Sequence, residues 1–365
     1  MKLYLYFAKR FGWTLMWMFS VFMVLSALLE MIEVLRLFSD AGVGVLETLR
    51  LTALRVPAGL YQILPLVVIL ATLTMFLNLA RTSELVVVRA AGRSALSNLL
   101  SPLAVALLVG ALAVGVFNPI VAATSRQYDL LEGRYLKGRE SILSVSKEGL
   151  WLRQGDDTGQ VVIRASRANR DGTVLSDVSF FGFGPGGKAS YRVEAAEARL
   201  GPGAWELSRA KRWRFDTGRN PEANAERFAR LAIPSELTQD HIRDGFGEPS
   251  SIPIWELPAF IDRLKQAGFS ARRHEVWFQT ELAQPLLLVT MVMIGAGFTM
   301  RHTRFGRTGL MVLSALLMGF GLYFLRNFAQ ILGENGQIPV VIAAWAPPLA
   351  GLLFALGFLL HIEDG

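Results

Sequence analysis

Six stretches of the chain run without a charged residue for long enough to cross a hydrocarbon core: 11–29, 56–80, 94–125, 282–300, 308–325 and 335–360. A helical crossing takes about 20 residues, and each stretch is rich in Leu, Val, Ala, Phe and Met. The pattern therefore predicts six membrane-spanning helices. Pro65, Pro102, Pro119, Pro285, Pro347 and Pro348 fall in or beside these runs, where spans tolerate proline better than soluble helices do. The first run follows a basic start, as the core of a signal peptide would. It extends over 19 uncharged residues with no small-x-small cleavage site before a polar start, so a retained first span is expected.

Between the third and fourth runs the hydrophobic period changes. "GLWLRQGDDTGQVVIRAS" is two short alternating runs around a Gly/Asp turn, the pattern of a β-hairpin. The alternation continues to about residue 218, with turns at 184–187 and 201–203. Short strands at this spacing predict a small sandwich, jelly roll or open barrel. Helix returns at 255–268, where Leu257, Phe260, Ile261 and Leu264 share one face and Gly268 offers a stop. The expected fold class is a membrane α-helical protein of six transmembrane helices with an inserted all-β, jellyroll-like domain. The expected division is 1–129 (spans one to three), 130–254 (the β-domain) and 255–365 (connecting helix and spans four to six).

Orientation follows from the bases. Lys2, Lys9 and Arg10 precede the first span, Arg81, Arg89 and Arg93 lie between the second and third, and Arg301, Arg304 and Arg307 lie between the fourth and fifth. The positive-inside rule places these segments, and both termini, in the cytoplasm. The β-domain is then external. Composition agrees: 52% of residues are hydrophobic and only 18% charged, below the roughly 25% of soluble domains. The net charge of +7 is accounted for by cytoplasmic loops, and no recognition module frames it for nucleic acid.

Catalytic chemistry is not legible. The absence of cysteine excludes disulfides, zinc–thiolate sites and thiol nucleophiles. No phosphate-binding G-x-x-x-x-G-K-[ST], H-E-x-x-H or G-x-S-x-G is present, and the four histidines are scattered. "GFGPGG" follows a strand and precedes no helix, so it reads as a turn. No catalytic residue, metal site or cofactor is expected, and the spans read as free of buried ionisable residues.

Charges do gather where spans end. Glu30, Glu33 and Arg36 end span one, Arg126 follows span three, and Arg326 ends span five. Each fits ordinary interfacial anchoring. Together, Arg36, Arg126 and Arg326 also suit the anionic head of an amphiphile whose acyl tails lie in the bilayer, since guanidinium binds phosphate bidentately. Glu30 and Glu33 do not fit such a head and are expected to pair with neighbouring arginines.

The stretch "ARTSELVVVRAAGRS", residues 80–94, carries four charges between two apolar runs. Val86, Val87 and Ala90 line a strip beside Arg81 and Glu84, with Gly92 as a stop. It reads either as a helix in the lipid interface or as a coupling helix at about 81–93, docked on a soluble motor subunit. The second reading gives Glu84 an arginine of the motor as partner.

"RTSELVVVRAAG" resembles the S-E-L-x-x-[MVT]-x-A-x-G segment of the LptF/LptG permease family, the membrane subunits of an ATP-driven lipopolysaccharide exporter. The likeness continues through "LPLVVILATLTMFLNLARTSELV", "KEGLWLRQGDDTGQVVIRA", "WFQTELAQPLLLVTMVM" and "NGQIPVVIAAWAPPLAGLLFAL", the last nearer the LptG branch. The resemblance implies an inner-membrane subunit paired with the sister permease LptF and an LptB ATPase dimer. It also implies that the periplasmic domain hands lipopolysaccharide to LptC or its continuation, and that ATP is bound by the ATPase. Arg81, Glu84, Val87, Arg89 and Gly92 match the ATPase-coupling segment, and Arg126 matches a base near the lipid phosphates. Two departures stand out. Where the family often carries lysines after span one, this chain has Glu33, Arg36, Ser39 and Asp40, and a second base after Arg126 is replaced by Asp129.

The expected function is thus a non-enzymatic permease subunit, with spans one and five as gates and apolar residues inside the β-domain shielding acyl chains. The rival reading is a membrane anchor displaying a β-domain to a partner. A secondary transporter is disfavoured for want of buried charge, and a hydrolase for want of a nucleophile–base pair.

Overall fold

The structure is a computed structural model that describes residues 2–38, 44–84, 87–88, 95–132, 135, 143–146, 149–156, 159–169, 172–184, 188–215, 220, 222–235, 237–238, 242, 248–266, 269–300 and 308–364. The chain divides into two compact units, one of residues 1–136, 250–255 and 272–365, the other of 137–249 and 256–271.

The first unit is helical: α1 (Lys2–Leu37), α2 (Val45–Arg81), α3 (Ala95–Leu112) running through a π-turn (Ala113–Phe117) into α4 (Asn118–Glu132) and, after the second unit, a set numbered below. Among the described residues, five helical stretches are long and apolar enough to cross a membrane, or six if one bent pair counts as a single span. The helices overrun their apolar windows because nothing in a polar end stops a helix. At 1.5 Å per residue, the 36 residues of α1 reach about 54 Å, well beyond a hydrocarbon core of about 30 Å.

Proline explains the two irregular spans. Pro119 follows the π-turn, and its ring would clash with the carbonyl four residues back, Gly115. The extra residue of the π-turn relieves the clash, and the Gly115 carbonyl accepts a hydrogen bond from the Trp255 indole N–H at 3.2 Å.

The bent pair has the same origin. Its halves are separated by Ala283 and meet at 48°, and Pro285 denies the Glu281 carbonyl its helical donor.

Among the described residues the second unit has seven strands: β1 (Leu143–Ser146), β2 (Gly149–Asp156), β3 (Gly159–Ala168), β4 (Val174–Phe183), β5 (Ala189–Gly201), β6 (Ala204–Arg214) and β7 (Glu226–Pro234). They pair antiparallel in chain order. The helix α5 (Leu257–Gln266) follows and packs against β1, burying Leu257, Ile261 and Leu264.

The sheet is folded along a line. Inward residues are spaced by three, not two, at Leu175/Val178, Ala195/Ala198 and Leu207/Ala210. Between them lie Asp177 and Arg209, with φ of 52° and 54°. Phe180 pairs through Val193 to Arg212, so on a flat sheet it would sit about 23 Å from Trp205, seven residues along β6. Their rings are instead 6.3 Å apart, edge to face, and both are fully buried. The two halves of one meander therefore face each other, which is the jellyroll-like closure expected.

The remaining helices complete the first unit: α6 (Arg272–Leu282), α7 (Gln284–Thr299), α8 (Thr308–Glu334) and α9 (Val340–Asp364). Its core centres on α2 and α7, with Val68, Ile69, Met75, Phe76, Leu288 and Met291 buried. A Cβ on Gly110 would lie 2.4 Å from the Pro285 Cα, so only glycine lets α3 approach α7 this closely. Gly110→Val should lower the melting temperature of the detergent-solubilised protein, overpacking of this kind costing about 1–3 kcal/mol. Trp205→Ala should destabilise the second unit by about 3–5 kcal/mol, measured as early loss of its tryptophan fluorescence signal on heating.

Candidate functional site

At the end of α2 the chain turns sharply. Thr82 closes the helix with its N–H on the Asn78 carbonyl at 3.0 Å, and Ser83 takes a left-handed φ of 58°, the conformation that commonly follows a helix C-terminus. The turn aims Glu84 at α1. Arg10 Nη1 donates to the Tyr6 hydroxyl at 2.6 Å, and that hydroxyl donates to Glu84 Oε2 at 2.6 Å. Thr82 Oγ1 donates to Glu84 Oε1 at 2.9 Å, and Arg10 lies 3.5 Å from the same oxygen. The Tyr6 bond, chiefly, holds the Glu84 carboxyl below the usual carboxylate range against the opposing effect of burial, with Thr82 and then Arg10 adding to it. Glu84 is therefore ionised at neutral pH.

Arg81 is exposed, and Val87 is 68% exposed while Val88 packs towards the core. Arg89 and Gly92, and with them Val86 and Ala90, lie outside the described residues. Sequence reasoning found Glu84 but missed Tyr6 and Arg10, which stand 78 and 74 positions away and share nothing local with it.

The three candidate head-group arginines sit on three different helices: Arg36 in the last turn of α1, Arg126 in α4 and Arg326 in α8. Arg36 and Arg126 are exposed and Arg326 is half-buried. Of the two acids expected to pair with arginine, Glu30 does so: its Oε2 lies 3.0 Å from Arg55 Nε. Arg55 also covers the Tyr128 ring, 5.2 Å from its centroid. The pair joins α1, α2 and α4 through a residue that sequence reasoning did not single out.

One expectation fails. The spans are not free of buried ionisable residues, because Glu281 is 0% exposed at the bend between α6 and α7. Its Oε2 accepts from the Tyr61 hydroxyl and from Asn118 Nδ2 at 3.1 Å, while Asn118 Oδ1 accepts the Ile254 N–H at 3.0 Å. Glu281 escaped notice because it stands one residue before the charge-free run 282–300. Its signal was there in "TELAQP", an acid four residues ahead of a span-opening proline.

Beside this network, α2, α7 and α8 border a cleft of about 280 Å³, lined by Leu66, Ile69, Met291 and Phe320 with Gln62 and Tyr323 as its polar members. Gly319 in α8 makes room for it, since a Cβ there would meet Ile69 at 2.8 Å. The apolar faces of α1 and α8 are scarcely covered: 11% and 17% of their most apolar windows are buried, against 61% for α2. Among the described residues no group of acidic or histidine side chains is arranged to hold a metal.

A family profile described as "Lipopolysaccharide export system permease LptF/LptG" matches residues 5–361. The chain belongs to that family. It is 24% identical to the lipopolysaccharide export system permease protein LptG of Escherichia coli K12 over 361 residues, which cover 98% of this chain and 97% of that protein. The protein of the same name from Haemophilus influenzae is 24% identical over 344 residues, 90% of this chain and 89% of the relative. The LptF/LptG match spans both units, so the helices and the inserted sheet are one shared architecture.

Asn118→Leu should strip Glu281 of a donor and the Ile254 N–H of its acceptor. Leaving buried polar groups unpaired costs about 1–3 kcal/mol each. The expected outcome is a lower melting temperature with faster amide exchange at Ile254, read by hydrogen–deuterium exchange.

Proposed function

We propose that this chain is the LptG-type permease subunit of an ATP-driven exporter that extracts lipopolysaccharide from the bacterial inner membrane. The observation that carries the reading is the apolar cleft between α2, α7 and α8 in a chain that belongs to the LptF/LptG family along nearly its whole length. About 280 Å³ lies at the lower end of small-ligand sites, too little for a lipid of many acyl chains. A second chain supplies the missing wall. The uncovered faces of α1 and α8 are where the sister permease LptF packs, giving two lateral gates.

In this reading the N- and C-termini are cytoplasmic and the folded sheet is periplasmic. The LptB ATPase dimer docks at 81–93, where Glu84 presents an ionised carboxylate and Val87 an exposed apolar contact. Arg36, Arg126 and Arg326 meet the lipid's phosphates, with guanidinium geometry suited to them. The chain contributes no catalysis, and ATP is bound by the partner. The sheet passes lipid towards LptC and the periplasmic bridge. Shielding acyl chains there is worth about 0.8 kcal/mol for each methylene kept from water. The facing residues Phe180 and Trp205 close the sheet's interior, so lipid enters it only by parting them.

Native mass spectrometry of the complex, gently solubilised from its own envelope, tests the reading. The expected result is one copy of this chain, one sister permease, two ATPase subunits and a bound phosphorylated glycolipid. A lone chain, or a complex without ATPase, would instead favour a membrane anchor for the β-domain. Glu84→Arg sets a base beside Arg10 and Arg81 and should reduce ATPase co-purification at least about tenfold, the effect of roughly 1.4 kcal/mol. Normal recovery of the ATPase with that variant would defeat the docking role.

A further inference from the structure

We infer that Tyr6 and Arg10 are positioning residues that tie α1 to the coupling segment through Glu84, so that movement of that segment is delivered to α1 directly. The inference rests on the reading above in taking Glu84 to face the ATPase.

The chemistry of the three groups gives the chain of contacts one direction. Arginine carries only donors and the phenol a single proton. Arg10 therefore donates to the Tyr6 oxygen at 2.6 Å, and Tyr6 must spend its proton on Glu84 Oε2 at 2.6 Å. Tyr6 and Arg10 stand one helical turn apart on the same face of α1. Arg10 also lies over the Tyr6 ring, 5.8 Å from its centroid, which fixes the hydroxyl in place.

Glu84 keeps capacity for a second partner. A carboxylate offers about four lone-pair sites, and the strong intramolecular bonds take one on each oxygen, from Tyr6 on Oε2 and Thr82 on Oε1. The remaining sites admit a guanidinium from outside without displacing Tyr6. Glu84 is thus a bridge between an external partner and α1.

What it pulls on is a lever. Just beyond Tyr6, the residues Phe7, Phe11 and Leu15 are buried in the core of the spans, so one face of this end is seated and the helix moves as a body. Farther along, α1 exposes Trp13, Trp17, Val24, Leu28 and Ile32. Motion at Tyr6 therefore reaches the surface assigned to the partner permease. Exposed polar contacts of this kind add little to fold stability, so their loss should show in coupling, not in folding.

The test uses the whole complex purified from its envelope, with Tyr6→Phe, Arg10→Gln and Arg10→Lys. Tyr6→Phe keeps the ring and its edge contact with Phe7, at 5.9 Å between centroids, and removes only the hydroxyl. We expect Tyr6→Phe and Arg10→Gln to retain the ATPase and the wild-type melting temperature. Lipopolysaccharide released per ATP hydrolysed should fall by about fivefold or more, the lower bound of ordinary coupling between sites. Arg10→Lys, which keeps the charge, should restore part of the loss. Hydrogen exchange in the first turns of α1 should respond to vanadate-trapped nucleotide in the wild type and not in Tyr6→Phe. Wild-type release per ATP in Tyr6→Phe would overturn the inference alone, and so would loss of the ATPase from that variant, which would make Tyr6 a docking residue. A wild-type chain that recovers no ATPase would overturn the functional reading and this inference together.

Discussion

A bilayer core supplies no hydrogen bonds, so every polar group that the helices bury has to be answered from within the protein. Glu281 is where that constraint weighs most. The carboxyl has no exposed surface, and it is held by a tyrosine from α2 and an asparagine from α4, whose other end takes a backbone N–H at Ile254. Both bonds to the carboxyl fall on Oε2, and removing any member leaves a further buried polar group unpaired, at about 1–3 kcal/mol each. The bend at Ala283 and the π-turn before Asn118 are the local distortions through which the network's members meet. Both arise at prolines, which release carbonyls at defined points.

The same logic sorts the rest of the first unit. Arg272 caps the far end of α8, its Nε and Nη2 reaching the carbonyls of Gly333 and Ile338 at 2.6 Å each. Thr290 crosses from α7 to the Pro348 carbonyl of α9 at 3.0 Å. Where polar groups are answered inside, the helices pack closely around α2 and α7. Where apolar faces are left open, on α1 and α8, they suit the hydrocarbon of a bilayer. The helix that ties back to Glu84 is also the span least covered in its most apolar part.

In the second unit the controlling feature is backbone conformation, not polarity. A flat meander of seven strands would leave its apolar face in water. The left-handed residues Asp177 and Arg209 let the strands flip phase, so that both halves turn their apolar sides inward and Phe180 meets Trp205. The outer face then carries charges laid over rings, as where Arg192 lies between Phe181 and Trp213 at 5.5 and 5.6 Å. Such pairs cover aromatic surface without a second layer of structure.

By itself the sequence determined the spans, the inserted β-domain, the turn that separates β2 from β3, and the segment "RTSELV", because these are written in local periodicity and in charge-free length. The helix ends at Leu37 and Glu334 were not legible, since a helix continues through polar residues once its apolar part is packed. Neither were the partners of Glu84 and Glu281: Tyr6 and Arg10 for the one, Tyr61 and Asn118 for the other. A hydrogen bond between residues 78 or 220 positions apart leaves no trace in spacing, for it exists only once packed helices have brought the two groups within 3 Å. The fold line of the sheet belongs to the same class. Alternation predicts strands, but which residues adopt a positive φ and reverse the alternation is decided by what the two halves gain when they close on each other.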